Sequence, residues 1–218
     1  MALPKASRRN QLGPWQWVLA SGALLLLVIL VGVGAWGWRS SYHTRGRAEL
    51  ALATHRTQNA LGPEGTAESR RAAIAALQAV IERYPRLGVL PQAAYQLGNV
   101  HYEAQEYEQA REAYQLALDK GAEGSLATLT RLGIAYSWEA QGEPSNALGA
   151  FQTSLEGLSP DDFLYEELML GVARSHELLG ERGRAMDTYR RLLKERPQSS
   201  RAREIRVLVA SLTEAPGR

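Results

Sequence analysis

From residue 72 to the C-terminus, apolar and small residues return at every third and fourth position, the period of a helix with one buried face. In "PQAAYQLGNVHYEA" (91–104), Ala94, Leu97, Gly98 and His101 make one such stripe. After "QEY" the stripe resumes with Ala110, Ala113, Tyr114 and Ala117. The next pair of segments repeats the arrangement with Ile134, Ala135 and Trp138, then Ala147, Ala150, Phe151 and Ser154. A third pair has Val172, Ala173 and His176, then Ala185, Thr188, Tyr189 and Leu192. The matching alanines Ala110, Ala147 and Ala185 stand 37 and 38 residues apart. Small residues let two helix axes approach closely, and an aromatic ring fills the space beside them. The spacing therefore predicts helical hairpins that stack, because one hairpin cannot bury its apolar face alone.

Around these three units the same logic extends with less regularity. "AAIAALQAVIERYP" (72–85) predicts a partial unit, with Ala73, Leu77 and Val80 in register and Pro85 as a stop; Pro197 repeats that stop. "GPEGTAES" (62–69) reads as a loop, and longer turns are expected at Gly121–Gly124 and Gly157–Asp161. "SPDD" (159–162) reads as a helix start with Ser159 as the N-cap, Pro160 as the first helical residue and Asp162 as the reciprocal acid. "SSRAREIRVLVASL" (199–212) predicts a helix that covers the last apolar face, and "TEAPGR" reads as a frayed end.

The pattern changes character near the N-terminus. No charged side chain occurs between Arg9 and Arg39, and "VLASGALLLLVILVGVGAW" (18–36) is apolar throughout. About 20 such residues match the hydrocarbon thickness of a bilayer at a helical rise of about 1.5 Å per residue. Trp15 and Trp17 at one end, and Trp36 and Trp38 at the other, have the placement of interfacial belts. The competing interpretation is a signal peptide cleaved after "VGA" (33–35), but the apolar run exceeds a usual signal core. An uncleaved anchor is the expectation. Lys5, Arg8 and Arg9 on one flank face Arg39, Arg45, Arg47 and Arg56 on the other, so flanking charge does not set the orientation. The span holds no ionisable residue and no G-x-x-x-G, which argues against a channel, a proton relay or a strong helix-dimer contact. Residues 40–61 look helical and are expected to link the span to the hairpins.

The organisation expected is thus a short basic tail (1–14), a transmembrane helix (15–38), a linker helix and loop (39–71), repeats (72–197), and a capping helix with tail (198–218). The fold class is all-α, a single N-terminal transmembrane helix followed by a short solenoid.

Charge removes one function class. The 218-residue chain carries a net charge of +2, but beyond Trp38 it holds 22 basic against 23 acidic residues, so no basic face for nucleic acid is implied. There is no cysteine, hence no disulfide, thiolate metal site or cysteine nucleophile. Of four histidines, His101 and His176 share a repeat slot with Trp138 on the buried stripe and read as packing; His43 and His55 have no assigned role. Asp161 and Asp162 read as capping, and Glu166 and Glu167 as solvent-facing. No nucleophile set, phosphate loop or metal-ligand spacing appears, so no enzyme, cofactor, metal or small-molecule substrate is expected.

Leu97-Gly98, Ala110, Tyr114 and Ala117, followed by Ala147/Phe151 and Ala185/Tyr189/Pro197, resemble the tetratricopeptide repeat. The units here exceed that family's usual length of about 34 residues. The resemblance implies that Gly98, Ala110, Tyr114, Ala147, Phe151, Ala185 and Tyr189 are packing positions. It also implies that the first helices line a concave protein-binding face, here with Tyr95, Asn99, Tyr102, Tyr136 and Arg174. Tyrosine and arginine are strong partner anchors. Of the family's carboxylate clamp only Asn99 fits; Tyr95 stands where a lysine is wanted. The order of tail, span, linker and few degenerate repeats is similar to the YfgM-type ancillary subunits of the bacterial SecYEG translocon. That likeness implies an inner-membrane scaffold with a periplasmic repeat domain, partnered by the translocon and a membrane-anchored periplasmic chaperone. The alternative resemblance is to soluble periplasmic envelope-assembly adaptors of the CpoB class, which requires cleavage near Ala35.

Overall fold

The computed structural model describes residues 14–214 and divides into two compact units, residues 1–45 and 46–218. Among the described residues there are nine α-helices and no strand. The basic tail and the last residues of "TEAPGR" (215–218) lie outside the described residues.

In the first unit, the described part of helix α1 (Pro14–Leu61) has its apolar side chains turned outward. Trp15, Trp17, Trp36 and Trp38 are all exposed, as is the leucine- and valine-rich run between them. Within Trp17–Leu61 an 18-residue window reaches a mean hydropathy of 2.6 with none of it buried. By length and composition this helix can cross a membrane.

The second unit begins inside α1 and continues through α2 (Ala67–Arg83), α3 (Leu90–Glu103), α4 (Tyr107–Asp119), α5 (Gly124–Ala140), α6 (Pro144–Leu155), α7 (Tyr165–Leu178), α8 (Arg182–Glu195) and α9 (Ala202–Glu214). From α2 onward each helix packs on the next. The predicted stripes are the core: Ala73, Leu77, Ala94, Ala110, Ala147, Phe151, Ala173, Ala185 and Tyr189 are fully or almost fully buried. The last turns of α1 are more than a link. Leu50, Ala53, Thr57 and Ala60 form a buried stripe. Glu49 accepts hydrogen bonds from Arg83 and from the Tyr84 hydroxyl, and the Thr54 hydroxyl donates to Gln96 Oε1. The first hairpin is therefore complete, with residues 46–61 as its first helix.

Two boundaries differ from expectation. Helix α2 starts at Ala67, inside the predicted 62–69 loop, because Thr66 and Ser69 cap each other: each side-chain oxygen accepts from the other's backbone N–H. Conversely, "SPDD" does not start a helix. The Asp162 carboxylate accepts from both the N–H and the hydroxyl of Ser159, closing a turn, and α7 begins only at Tyr165 once Leu164 enters the core.

The three hairpin turns are built alike. In each, the third residue beyond the first helix donates back to the helix, Glu106 to His101 O, Glu143 to Trp138 O and Glu181 to His176 O. This is the Schellman closure, and it needs a left-handed residue one place earlier. Gly142 (φ 80°) and Gly180 (φ 75°) supply it, but the first turn uses Gln105 (φ 62°). A side chain in that conformation costs about 1–2 kcal/mol. Gln105→Gly is therefore expected to stabilise the protein by about 0.5–1 kcal/mol after glycine's extra chain entropy. Urea unfolding would detect it; an unchanged or lower midpoint contradicts the strain.

The slot shared by His101, Trp138 and His176 explains its own residues. The two histidines are buried, and each Nδ1 lies 2.6 Å from the glutamate that opens the following helix, Glu106 or Glu181. The His176 contact, with help from Arg184, holds the Glu181 carboxyl below its usual range. In the middle hairpin the Trp138 ring instead lies 3.6 Å beneath the Arg111 guanidinium.

Candidate protein-binding groove

Helix α3 touches α5 directly as well as α4, so the first helices of the hairpins crowd to one side and the second helices to the other. That inner side is where four of the five predicted groove residues meet. Tyr95, Asn99 and Tyr102 lie on α3 and Tyr136 lies on α5; each is half-buried, and together they line a cavity of about 210 Å³.

The floor of that cavity is Tyr114, from the second helix α4. Its ring lies against two glycines: a Cβ on Gly98 or on Gly133 would sit 2.5 Å from it. The absence of two side chains thus lets a ring from the outer layer reach the inner face. Tyr114 Oη donates to Asn99 Oδ1 at 2.8 Å, which fixes the amide, and its ring tilts against Tyr95 at 5.9 Å. Tyr102 meets Tyr107 edge-on at 5.5 Å, and Tyr136 meets Phe151 edge-on at 5.6 Å. The rings are therefore braced before any partner arrives.

Arg174 on α7 is placed differently. Its Nε and Nη2 donate to both carboxylate oxygens of Glu139, at 2.9 and 3.0 Å, and its guanidinium lies 5.8 Å from the centre of the Tyr136 ring. It is not among the residues lining the tyrosine cavity. Next to it, Tyr136 Oη donates to Glu167, whose other oxygen accepts from Arg201 at 2.7 Å. Glu166 pairs with Arg196 at 3.6 Å. The two glutamates expected to face solvent are instead half-buried and paired.

These contacts set the protonation states. Burial first, and then the neighbouring Tyr107, Glu139 and Glu103, push the Tyr102 hydroxyl above its ordinary pKa; burial raises Tyr114 and Tyr136 further. All three stay neutral at physiological pH. Burial works to raise Glu167, but hydrogen bonds from Tyr136 and Arg201 outweigh it and hold the carboxyl below its usual range. The hydrogen bond to Glu139 raises Arg174. Among the described residues no group of three His, Asp or Glu side chains could hold a metal ion. The groove offers aromatic rings, with carboxylates at its edge.

Sequence reasoning did not identify Leu129, Leu132 and Gly133, which complete the cavity wall, or Glu139, Glu167 and Arg201, which fix the polar edge. Gly133 had a readable signal: it follows Leu132 as Gly98 follows Leu97, one repeat later.

Comparison with known proteins agrees with this architecture. A family described as "Tetratricopeptide repeat-like domain" matches residues 15–166, and one described as "Tetratricopeptide repeat" matches residues 167–199. No curated protein matches the chain. Two crystal structures of nearly identical TPR-like repeats from Podosopora anserina share the fold. One has a TM-score of 0.60 at 13% identity, covering 79% of this chain and 87% of its own. The other has a TM-score of 0.53 at 14% identity, covering 78% of this chain and 96% of its own.

Proposed function

We propose, from the premise that this chain belongs to the tetratricopeptide repeat-like family, that it is a non-enzymatic scaffold which holds other proteins in the tyrosine-lined groove and is anchored to a membrane by α1. The observation that carries the reading is the braced aromatic cavity of Tyr95, Asn99, Tyr102 and Tyr136 in a chain that also holds a helix apolar enough to span a bilayer. Arg174 borders the same face and would join a partner contact by sharing Glu139.

At finer scale, the order of elements supports an ancillary translocon subunit of the YfgM type. Residues 1–14 are its tail and 15–38 its span; after a short link the repeats begin with the hairpin of residues 46–61 and α2 and run to 197, and 198–218 is its cap. In this reading it sits in a bacterial inner membrane with the repeats in the periplasm. Its partners are the SecYEG translocon and a periplasmic chaperone, to which newly secreted chains pass. A second reading, a soluble envelope-assembly adaptor of the CpoB class, is favoured by one fact: the apolar part of α1 lies near the N-terminus, where a signal sequence is also a long apolar helix.

The test is a mild-detergent pull-down of the tagged full-length protein from membranes, with partners identified by mass spectrometry and the intact mass of the bait recorded. Translocon subunits beside an uncleaved bait are expected. A bait shortened near residue 35, with envelope-assembly partners or none, overturns the anchored reading.

A further inference from the structure

We infer that the cavity between α3 and α5 receives the cationic side chain, lysine or arginine, of an extended polypeptide, with Glu103 as its counter-charge. This deepens the groove reading and rests on it.

Three observations converge. The wall is rich in tyrosine, with Tyr95, Tyr102 and Tyr136 around Tyr114, and aromatic rings attract a cation over their faces. No lysine or arginine lines the cavity. Carboxylates stand beside it: Glu103 follows the lining residue Asn99 by four positions on α3 and so shares its helix face, and Glu139 lies on α5 three residues beyond Tyr136. Their charges are not equally available. Arg174 neutralises Glu139 and Arg201 neutralises Glu167, whereas Glu103 is exposed and belongs to none of the ion pairs among the described residues. Glu103 also ends α3, so its charge adds to the negative end of that helix. A cation entering the cavity meets ring faces on its sides and a free carboxylate at its edge. The nearest cation, Arg174 beside Tyr136, is already held by both oxygens of Glu139. On the same wall the Asn99 amide oxygen is engaged by Tyr114.

The cavity also suits the ligand in size. About 210 Å³ admits one long side chain and excludes a folded element, so the rest of the partner must run along the groove as extended chain.

The full-length protein in a neutral detergent would be titrated into three fluorescein-labelled Gly/Ser nonapeptides that carry three lysines, three norleucines or three glutamates, with fluorescence polarisation as the readout. The lysine peptide is expected to bind tightest. Tyr102→Leu, which keeps apolar bulk and loses the ring, should weaken it about tenfold, and Glu103→Gln should weaken it several-fold and flatten its salt dependence. Glu108→Gln, an exposed acid on α4, should change nothing. Circular dichroism melts would establish that the variants are folded. If the norleucine or glutamate peptide binds as tightly and still depends on Tyr102, the groove reading stands and the cation inference falls. Binding of the lysine peptide that ignores both Tyr102 and Glu103 also overturns the inference, because it reports the surface charge only. If no peptide binds, both readings fall.

Discussion

Ala147→Asp is expected to abolish the cooperative melting of the hairpin stack. Ala147 is completely buried, in a cluster with Leu132, Ala135, Phe151, Leu164, Leu168 and Val172. Every side chain of that cluster is apolar, so none of them offers a carboxylate a partner. Burying an unpaired polar group costs several kcal/mol, and a charge costs more or must take up a proton. A domain holds only about 5–15 kcal/mol in total. The side chain also has no room, since α5 and α6 approach closely at that alanine. The measurement is a thermal melt of the full-length protein followed by circular dichroism at 222 nm. A drop of ~10 °C or more, or loss of the transition, is expected. A melt within a few degrees of the parent would mean that α6 does not face α5 through Ala147. Ala147→Ser, which can donate to its own helix, separates volume from charge and should cost far less.

A second large effect is expected at Gly171. A Cβ there would stand 2.5 Å from Phe151 Cε1 and 2.6 Å from two further ring carbons. Phe151 is itself fully buried and cannot swing away. Gly171→Val should therefore cost about 3 kcal/mol through overpacking. The clash names its own remedy. Phe151→Leu removes the ring atoms that the valine would strike, so the double variant should be more stable than the sum of the two single costs by 1 kcal/mol or more, on the usual scale of coupling between touching residues. A urea-unfolding double-mutant cycle measures this term. Additive costs would show that ring and glycine do not share the space.

How far the sequence carried the fold depends on what each residue had to do. The alanine and ring positions were legible because close helix contact admits few side-chain sizes, and Ala110, Ala147 and Ala185 mark that contact at regular intervals. The apolar stretch was legible because its length and lack of charge have few uses. The role of residues 46–61 as the first helix of the first hairpin was not. Its buried stripe of Leu50, Ala53, Thr57 and Ala60 lies within a helix that starts as an apolar run, and it lacks the mid-helix Leu-Gly step that marks the later units at Gly98, Gly133 and Gly171. "SPDD" misled because Ser and Asp at that spacing can cap a helix or close a turn, and only the burial of Leu164 chooses between them. For the groove, facing positions on α3 and α5 followed from helical period. That Arg174 is tied to Glu139, and Glu167 to Arg201, did not follow, because those partners are more than 30 residues apart and chosen by how the hairpins stack.

The two glycines around Tyr114 give the array a direction. A hairpin projects its ring toward the next unit and offers its own glycine to the ring of the unit before, as Gly133 does for Tyr114 and Gly171 for Phe151. Whole-unit duplication inside the array would reproduce both halves of the joint at once, so such a chain can lengthen during evolution without inventing a contact. The last ring, Tyr189, ends the series: it meets Ile205 and, at its margin, Leu208 and Val209 of a helix that contains no glycine. A ring projected onto that helix would find no glycine socket there.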